Sequence, residues 1–346
     1  MITYIKKIVS REGLSEKEAF DCMQEMISGR ASDVHMAALL AALATKGETV
    51  DEITGFARAM RLACTRLNVS EDLKLVDTCG TGGDRLKTFN VSTVAAIIAS
   101  AVGVNVAKHG NRAVTSSCGG ADILESAGVK IDASPEIVAR CMEKAGIGFI
   151  FAPNFHPATR NVMPVRQALG IRTVFNILGP LTSPAGAKIQ LLGVFDPKYV
   201  EIMAKVLNNL GVERAMVVHG FDEDGNPGMD EISNVGSTLV AFIDNGSIEI
   251  KKMSPEDFGI KKTASDLIKA PDTLEENLYI FLGVLNGKNQ SDLERARLDI
   301  ALVNAGAIIY LDGKAQNMVE GTRIARDAVK SGKAIEKLKE FIDMSN

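Results

Sequence analysis

The sequence predicts an α/β protein: a small N-terminal helical domain plus a large α/β domain with a mostly parallel central sheet. Three observations lead there. Residues 1 to about 70 carry apolar side chains at helical spacing and no strand-like run. After them, short apolar stretches such as IGFIF and IQLLG alternate with helix-length periodic segments, the pattern of buried parallel strands joined by helices. The 346 residues, 46% hydrophobic and 24% charged, suffice for one large and one smaller globular unit. The polar connector NVSEDLK at 68–74 sets the boundary, giving a helical domain at 1–70 and an α/β domain at 74–346.

In the first domain, Ser15 opens S-E-K-E, a capping box with Glu18. Ala19, Phe20, Met23 and Met26 follow on one helical face. Ser32 and Asp33 cap a second run that Gly47 stops, and residues 50–66 form a third. His35 lies in an Ala/Leu-rich helix, a structural or interfacial setting. So much apolar surface on short helices needs a partner, either the main domain or a second subunit.

The second domain begins with a strand ending near Cys79. Gly80, Gly82 and Gly83 break it, and Asp84 closes the turn. Asn90, Val91, Ser92 and Thr93 then start an apolar helix. Strand, glycine loop and capped helix together present backbone N–H groups and a helix's positive end to phosphate. The turn is common in α/β proteins, and GTGGD matches neither the dinucleotide fingerprint nor a P-loop, so the ligand stays open here. VNVAK is a strand, and TSSCGGAD starts another helix. Ser134 and Pro135 begin a third. Residues 156–170 are helical with a kink at Pro164. TLVAFIDNGSIEI is a hairpin about Asn245 and Gly246. The last ninety residues are helical with one apolar interruption at AIIYL.

A net charge of −4 argues against nucleic acid as a partner. Five scattered cysteines without a C-x-x-C pair suit reduced thiols in a cytoplasmic protein. The N-terminus has no secretion signal. The uncharged stretch 89–107 holds too many Asn, Ser, Thr and Gly residues for a membrane span.

Chemistry collects at four strand ends, where open α/β sheets bind ligands. The first is the glycine loop. The second is Lys108, His109, Gly110, Asn111 and Arg112, directly after a strand, with Lys108 a point charge and Arg112 a fork for anions. With TSSCGGAD behind it, two neighbouring helix starts would suit a ligand with two phosphate groups. The third is His156 with Arg166, the latter either a surface charge or a bidentate partner for a carboxylate. The fourth is Asp230 with Glu231. On a regular strand they would diverge, but a bulge or loop lets both approach one Mg²⁺. No zinc, acyl-enzyme or kinase motif is present.

Eight segments in series resemble the anthranilate phosphoribosyltransferase family of tryptophan biosynthesis: GTGGD, TFNVST, KHGNR, SSCGGAD, FAPNFHPA, PVRQALGIRTVFNILGPLTSP, VVHG and MDEIS. The resemblance spans about residues 3–335, with Cys118 and Gly119 departing from its pattern. It implies a nucleoside phosphorylase/phosphoribosyltransferase-like fold in which residues 165–185 rejoin the helical domain, and a homodimer formed through that domain. It implies transfer of a phosphoribosyl group from 5-phosphoribosyl 1-diphosphate to anthranilate, with two Mg²⁺ ions per subunit. By position, Gly80, Gly83, Asp84, Thr88, Asn90, Val91, Ser92 and Thr93 would hold the diphosphate substrate. Lys108, His109, Gly110, Asn111, Arg112, Ala113, Val114, Thr115, Ser116 and Gly120 would join them. Gly80, Asn111 and Arg166 would contact anthranilate, with His109 and His156 lining its pocket. Ser92, Asp230 and Glu231 would serve the metals, Lys108 and Arg166 would act electrostatically, and no general base is implied. A pyrimidine nucleoside phosphorylase shares this fold, but Arg166 and KHGNR favour the transferase.

Overall fold

The computed structural model describes residues 1–83, 85–113 and 118–346. Four helices open the chain: α1 (Ile2–Val9), α2 (Glu16–Ile27), α3 (Asp33–Lys46) and α4 (Val50–Ala63). The expected capping box at Ser15 and Glu18 is formed, Ser32 caps α3, and Thr49 with Glu52 makes a second box on α4. Glu52 does more than cap. Its carboxylate is fully buried and accepts from the amides of Thr49 (2.8 Å) and Leu14 (3.0 Å). It also pairs with Lys46 Nζ at 3.0 Å, so one side chain ties together the starts of α2 and α4 and the end of α3.

The α/β part runs β1 (Leu75–Gly80), α5 (Val91–Ser100), β2 (Asn105–Gly110), α6 (Gly120–Ser126), α7 (Pro135–Lys144) and β3 (Ile147–Phe151). Then follow α8 (Ala152–Phe155), α9 (Met163–Leu169), α10 (Phe175–Leu178), β4 (Ile189–Gly193), α11 (Tyr199–Asn209) and β5 (Arg214–Phe221). Short β6 (Pro227–Met229) precedes the hairpin of β7 (Thr238–Asp244) and β8 (Ser247–Met253). Helices α12 (Leu274–Leu285), α13 (Asp292–Asp312), α14 (Met318–Lys330) and α15 (Lys333–Ser345) complete the chain.

The strand order is β3-β2-β1-β4-β5-β7-β8, with β6 beside β5. Strands β3, β2, β1, β4 and β5 are parallel, while β6, β7 and β8 are antiparallel additions. Connections lead from β1 outward to β2 and β3 on one side and through β4 to β5 on the other. The topological switch point therefore lies between β1 and β4, where Gly80 and Gly193 stand opposite each other. Positive φ at Asn245 and Gly246 turns the hairpin, which pairs Asp244 with Ser247. Edge strand β8 exposes Glu249, Lys251 and Lys252.

One apolar cluster joins a face of the sheet (Val76, Val106, Leu191, Met216) to α5 and α13. Helix α5 is buried along nearly its whole length, as its apolar run from Val94 to Ala99 requires. A second cluster joins α1–α4 to α11 and the opposite face of β4 and β5. Val162, Val165, Val174, Phe175, Ile177, Leu178 and Leu181 belong to that second cluster, so the 162–181 segment packs with the N-terminal helices. Arg61 Nε donates to the Leu181 carbonyl at 2.6 Å across this contact.

Three sequence expectations need correction. AIIYL does not interrupt the last helices. It is the final part of α13, whose apolar surface is buried on all sides, and a short apolar run cannot declare helix or strand by itself. Lys108, His109 and Gly110 do not follow a strand but belong to β2, because pairing with β3 continues to Gly110 opposite Phe151. Pro164 starts α9 rather than kinking a longer helix, and residues Pro157–Asn161 before it form a separate 3-10 turn.

Replacing Glu52 by Ala should lower unfolding free energy by about 3 kcal/mol, because Lys46 and two amides lose a buried partner. Urea denaturation of the variant measures this, and a change within 0.5 kcal/mol (about the value for an ordinary surface substitution) would contradict it.

Candidate active site

Three neighbouring strands carry glycines at their C-terminal ends: Gly80 on β1, Gly193 on β4 and Gly220 on β5. The chain leaving β6 at Met229 crosses directly above them. A Cβ on Gly80 would collide with the Asp230 carboxylate, and one on Gly193 with the Asp230 carbonyl oxygen. One on Gly220 would come within 2.7 Å of the Glu231 carbonyl oxygen. The absent side chains are therefore what lets the acidic pair sit on the sheet.

Because Asp230 and Glu231 lie beyond the strand, the alternation that would separate their side chains no longer applies. Asp230 Oδ2 accepts from the Gly82 amide at 2.8 Å, and Glu231 Oε1 accepts from the Ser92 amide at 3.1 Å. Both acids thus reach backbone donors, one in the glycine loop and one in the first turn of α5. Both are nearly buried, and burial pushes the Asp230 carboxyl up from its ordinary range, with the Gly82 amide opposing.

Lys108 is buried and donates through Nζ to the Thr78 carbonyl (3.1 Å) and to Ser92 Oγ (3.3 Å). Ser92 thereby gathers Lys108 at its hydroxyl and Glu231 at its amide. The second helix start lies alongside: a Cβ on Gly120 would be 3.3 Å from Thr93 Oγ1 and 4.0 Å from Lys108 Cε. Asn90 Nδ2 donates to the Cys118 carbonyl at 3.2 Å, bracing the two helix starts. The Asn111 carbonyl accepts from Ala121, while Asp122 accepts the amides of Ala113 and Gly119, each at 2.9 Å. The Arg112 fork is engaged by Glu125 (2.7 and 2.9 Å) and Asp122 (3.0 Å) rather than standing open. Thr88 bridges to Lys269 on the far side of the loop. Asp84, Val114, Thr115 and Ser116 lie outside the described residues.

His109 and His156 meet with ring centroids 5.2 Å apart. Both are buried and each has an Nε2 without a hydrogen-bond partner among the described residues. Burial drives their pKa values down, to about 3 for His109 and about 4 for His156. Beneath them Asp77, fully buried, accepts the His109 amide at 3.4 Å, and burial pushes its carboxyl up to about 7. Arg166, on α9, stacks over Phe175 at 5.1 Å and touches Met163 Sδ at 3.6 Å. It has no ion pair among the described residues, and these two contacts, with Phe175 and Met163, lie away from the strand-end cluster.

Sequence reasoning passed over Arg172 and Asp77. Arg172 donates to the Gly83 carbonyl at 2.8 Å and stacks on Phe195 at 4.3 Å, which puts a cation at the glycine loop. A lone arginine in GIRTVF carries no signal of that placement. Asp77 was visible as an acid inside an apolar strand run, the signal that could have found it.

No cluster of three or more His, Cys, Asp or Glu side chains forms a metal cage among the described residues. Two carboxylates and a hydroxyl, Asp230, Glu231 and Ser92, nonetheless fit Mg²⁺, which takes one or two carboxylates and completes its shell with phosphate and water. A cleft of about 480 Å³ lined by Tyr4, Asp21, Gln24, Glu25 and Arg30 lies on the helical bundle, away from these residues.

The glycosyl transferase family a/b domain matches residues 72–335, and the helical bundle domain of the same family matches residues 2–64. The chain is thus a glycosyl transferase of the two-domain kind. It is 57% identical over 334 residues to an anthranilate phosphoribosyltransferase of Methanothermobacter marburgensis, covering 96% of this chain and 95% of that one. It is 50% identical to the enzyme of that name from Rubrobacter xylanophilus, covering 99% and 96%. The crystal structure of the Thermus thermophilus anthranilate phosphoribosyltransferase superposes with a TM-score of 0.89 at 42% identity, covering 99% of both chains. The Saccharomyces cerevisiae enzyme in complex with 5-phosphoribosyl 1-diphosphate and Mg gives 0.88 at 28% identity, covering 99% and 97%. The chain belongs to the anthranilate phosphoribosyltransferase family.

Both histidines should be neutral in the fold at physiological pH. The unfolded chain binds protons near pH 6.5 that the buried rings refuse, so they subtract stability as pH falls below about 6.5. Asp77 acts oppositely, since its raised pKa withdraws stability as pH rises from about 4 towards 7. Proton NMR should show the His109 and His156 ring resonances flat from pH 8 to about 5.5. An inflection near 6.5 at either ring would be inconsistent with its burial.

Proposed function

We propose that this chain transfers the 5-phosphoribosyl group from 5-phosphoribosyl 1-diphosphate to the amine of anthranilate. The products are N-(5-phosphoribosyl)anthranilate and diphosphate, a step of tryptophan biosynthesis. The observation that carries the reading is the meeting of Asp230 and Glu231 with the Gly82 and Ser92 amides beside Lys108, at the switch point of the sheet. Backbone donors, a buried ammonium and paired carboxylates are what a doubly phosphorylated, metal-associated sugar requires. The same assignment draws on relatives of the same family across nearly the whole chain.

In this reading Gly80, Gly83, Asp84, Thr88 and Asn90, Val91, Ser92 and Thr93 cradle the diphosphate from one side. Lys108 to Ala113 act from the other, together with Val114, Thr115, Ser116 and Gly120. Arg112 would exchange Glu125 and Asp122 for phosphate, and Arg172 adds positive charge at Gly83. Two Mg²⁺ ions per subunit would be held by Ser92, Asp230 and Glu231, and when bound they supply positive charge for the departing diphosphate. Anthranilate would lie against Gly80 and Asn111, with Arg166 on its carboxylate and the neutral His109–His156 pair lining the pocket. Its aromatic amine is already unprotonated at pH 7, so orientation and electrostatics suffice and no side chain need act as a general base. The domain limits are 1–70 and 74–346, the enzyme is cytoplasmic, and two copies pair through the helical domain.

Loss of anthranilate fluorescence in the presence of 5-phosphoribosyl 1-diphosphate and Mg²⁺ tests the reaction. Absence of turnover by folded protein, with phosphorolysis of a pyrimidine nucleoside instead, would transfer the assignment to the phosphorylase branch. Arg166→Ala should raise KM for anthranilate at least about tenfold while leaving KM for the diphosphate substrate within about twofold. Equal effects on the two substrates would remove Arg166 from the anthranilate site. Asp230→Asn and Glu231→Gln should each raise the half-saturating Mg²⁺ concentration by about tenfold or more. An unchanged metal dependence would place the metal elsewhere.

A further inference from the structure

Asn304 lies in the middle of α13 and is fully buried. An asparagine there is a poor helix former and brings four hydrogen-bonding positions into an apolar layer, so its partners explain its presence. Its Oδ1 accepts from the Ile232 amide at 3.0 Å, and its Nδ2 donates to the Ile232 carbonyl at 3.1 Å and to the Ile300 carbonyl at 2.9 Å. The side chain thus pairs with both backbone groups of one residue, as a neighbouring strand would. That residue directly follows Glu231, where the chain has left β6 and has no ladder partner of its own.

The following residues are fixed in the same manner. Ser233 donates through Oγ to the Phe221 carbonyl at 2.9 Å, and its amide donates to Thr238 Oγ1 at 2.9 Å. Asn234 Nδ2 donates to the Ala296 carbonyl, again on α13, at 2.8 Å. On the opposite side the acidic pair rests on Gly80, Gly193 and Gly220. The turn is therefore confined between the strand ends and one buried helix.

We propose that Asn304 is a positioning residue for the Asp230–Glu231 pair: by clamping Ile232 it sets where both carboxylates present themselves to metal. The inference rests on the reading of that pair as metal ligands. It assigns to α13, which carries none of the residues assigned to either substrate, control over metal affinity and not over anthranilate binding. A residue that merely stabilised the core would weaken all ligands together.

Asn304→Leu keeps the number and branching of side-chain heavy atoms, although its methyl groups take more room, and removes both bonds to Ile232. It should weaken Mn²⁺ binding about tenfold, followed by electron paramagnetic resonance with 5-phosphoribosyl 1-diphosphate and no anthranilate. Half-saturating Mg²⁺ in turnover should rise by the same factor, KM for anthranilate should stay within about twofold, and the Ile232 amide should lose its exchange protection. Metal affinity unchanged in folded protein, or metal and anthranilate parameters worsening together, would overturn the proposal. Gly193→Ala presses on the turn from the other side and should give the same metal-selective loss. If Asn304→Leu does not fold, Asn304→Ser, which is smaller and also loses the paired bonds to Ile232, takes its place, and unchanged metal binding in it overturns the proposal. Asp230→Asn separates the two levels. If it weakens the metal and Asn304→Leu does not, only the positioning role falls, whereas no effect of Asp230→Asn removes the metal assignment itself.

Discussion

The approach of a backbone turn to within contact of three side-chain-free strand ends is the constraint on which the rest of the site depends. Buried carboxylates are costly unless donors meet them. Asp230 and Glu231 find theirs only because Gly80, Gly193 and Gly220 let the turn descend to the level of the Gly82 and Ser92 amides. Lys108 completes the arrangement from the neighbouring strand. Its ammonium reaches the Ser92 hydroxyl that belongs to the same helix start. The glycines of this region thus matter for the volume they leave vacant as much as for any backbone freedom.

Below that layer the protein tolerates an unusual concentration of buried polarity. Asp77, His109, His156 and Gln190 lie between the sheet and the segment that packs with the N-terminal helices. Neutral imidazoles and a carboxyl with a raised pKa keep formal charge low there, so the cost of burial is smaller than the residue types suggest. Lys108 and the acidic pair stand at the strand ends instead.

Most of the fold was legible in the residues, because caps and periodicity act locally. Ser15 with Glu18, Ser32, Pro135 and the Asn245–Gly246 turn each announced an element that the structure contains. AIIYL reads as an interruption because an apolar run buried on all sides has no period to reveal, and its identity depends on α5 and α13 packing together. The end of β2 is hidden because Lys108 and His109 look like loop residues until β3 pairs beside them. The order of chemical groups along the chain was readable, but their convergence was not. Asp230 lies 148 residues from Gly82, and nothing local to either predicts a 2.8 Å contact. Asn304 was invisible for the same reason, since its meaning comes from Ile232 across 72 residues.

The hairpin that ends the sheet has a consequence for how the protein behaves in a crowded solution. Strand β8 offers an open row of backbone groups, yet its outward residues include Glu249, Lys251 and Lys252. A second copy pairing in parallel and in register would bring like charges side by side, Glu249 beside Glu249 and each lysine beside its like, which opposes amyloid-style strand addition. Growth by strand addition is thereby discouraged on this flank, and a charge-neutralising change there would expose the protein to fibrillar aggregation without touching its catalytic chemistry.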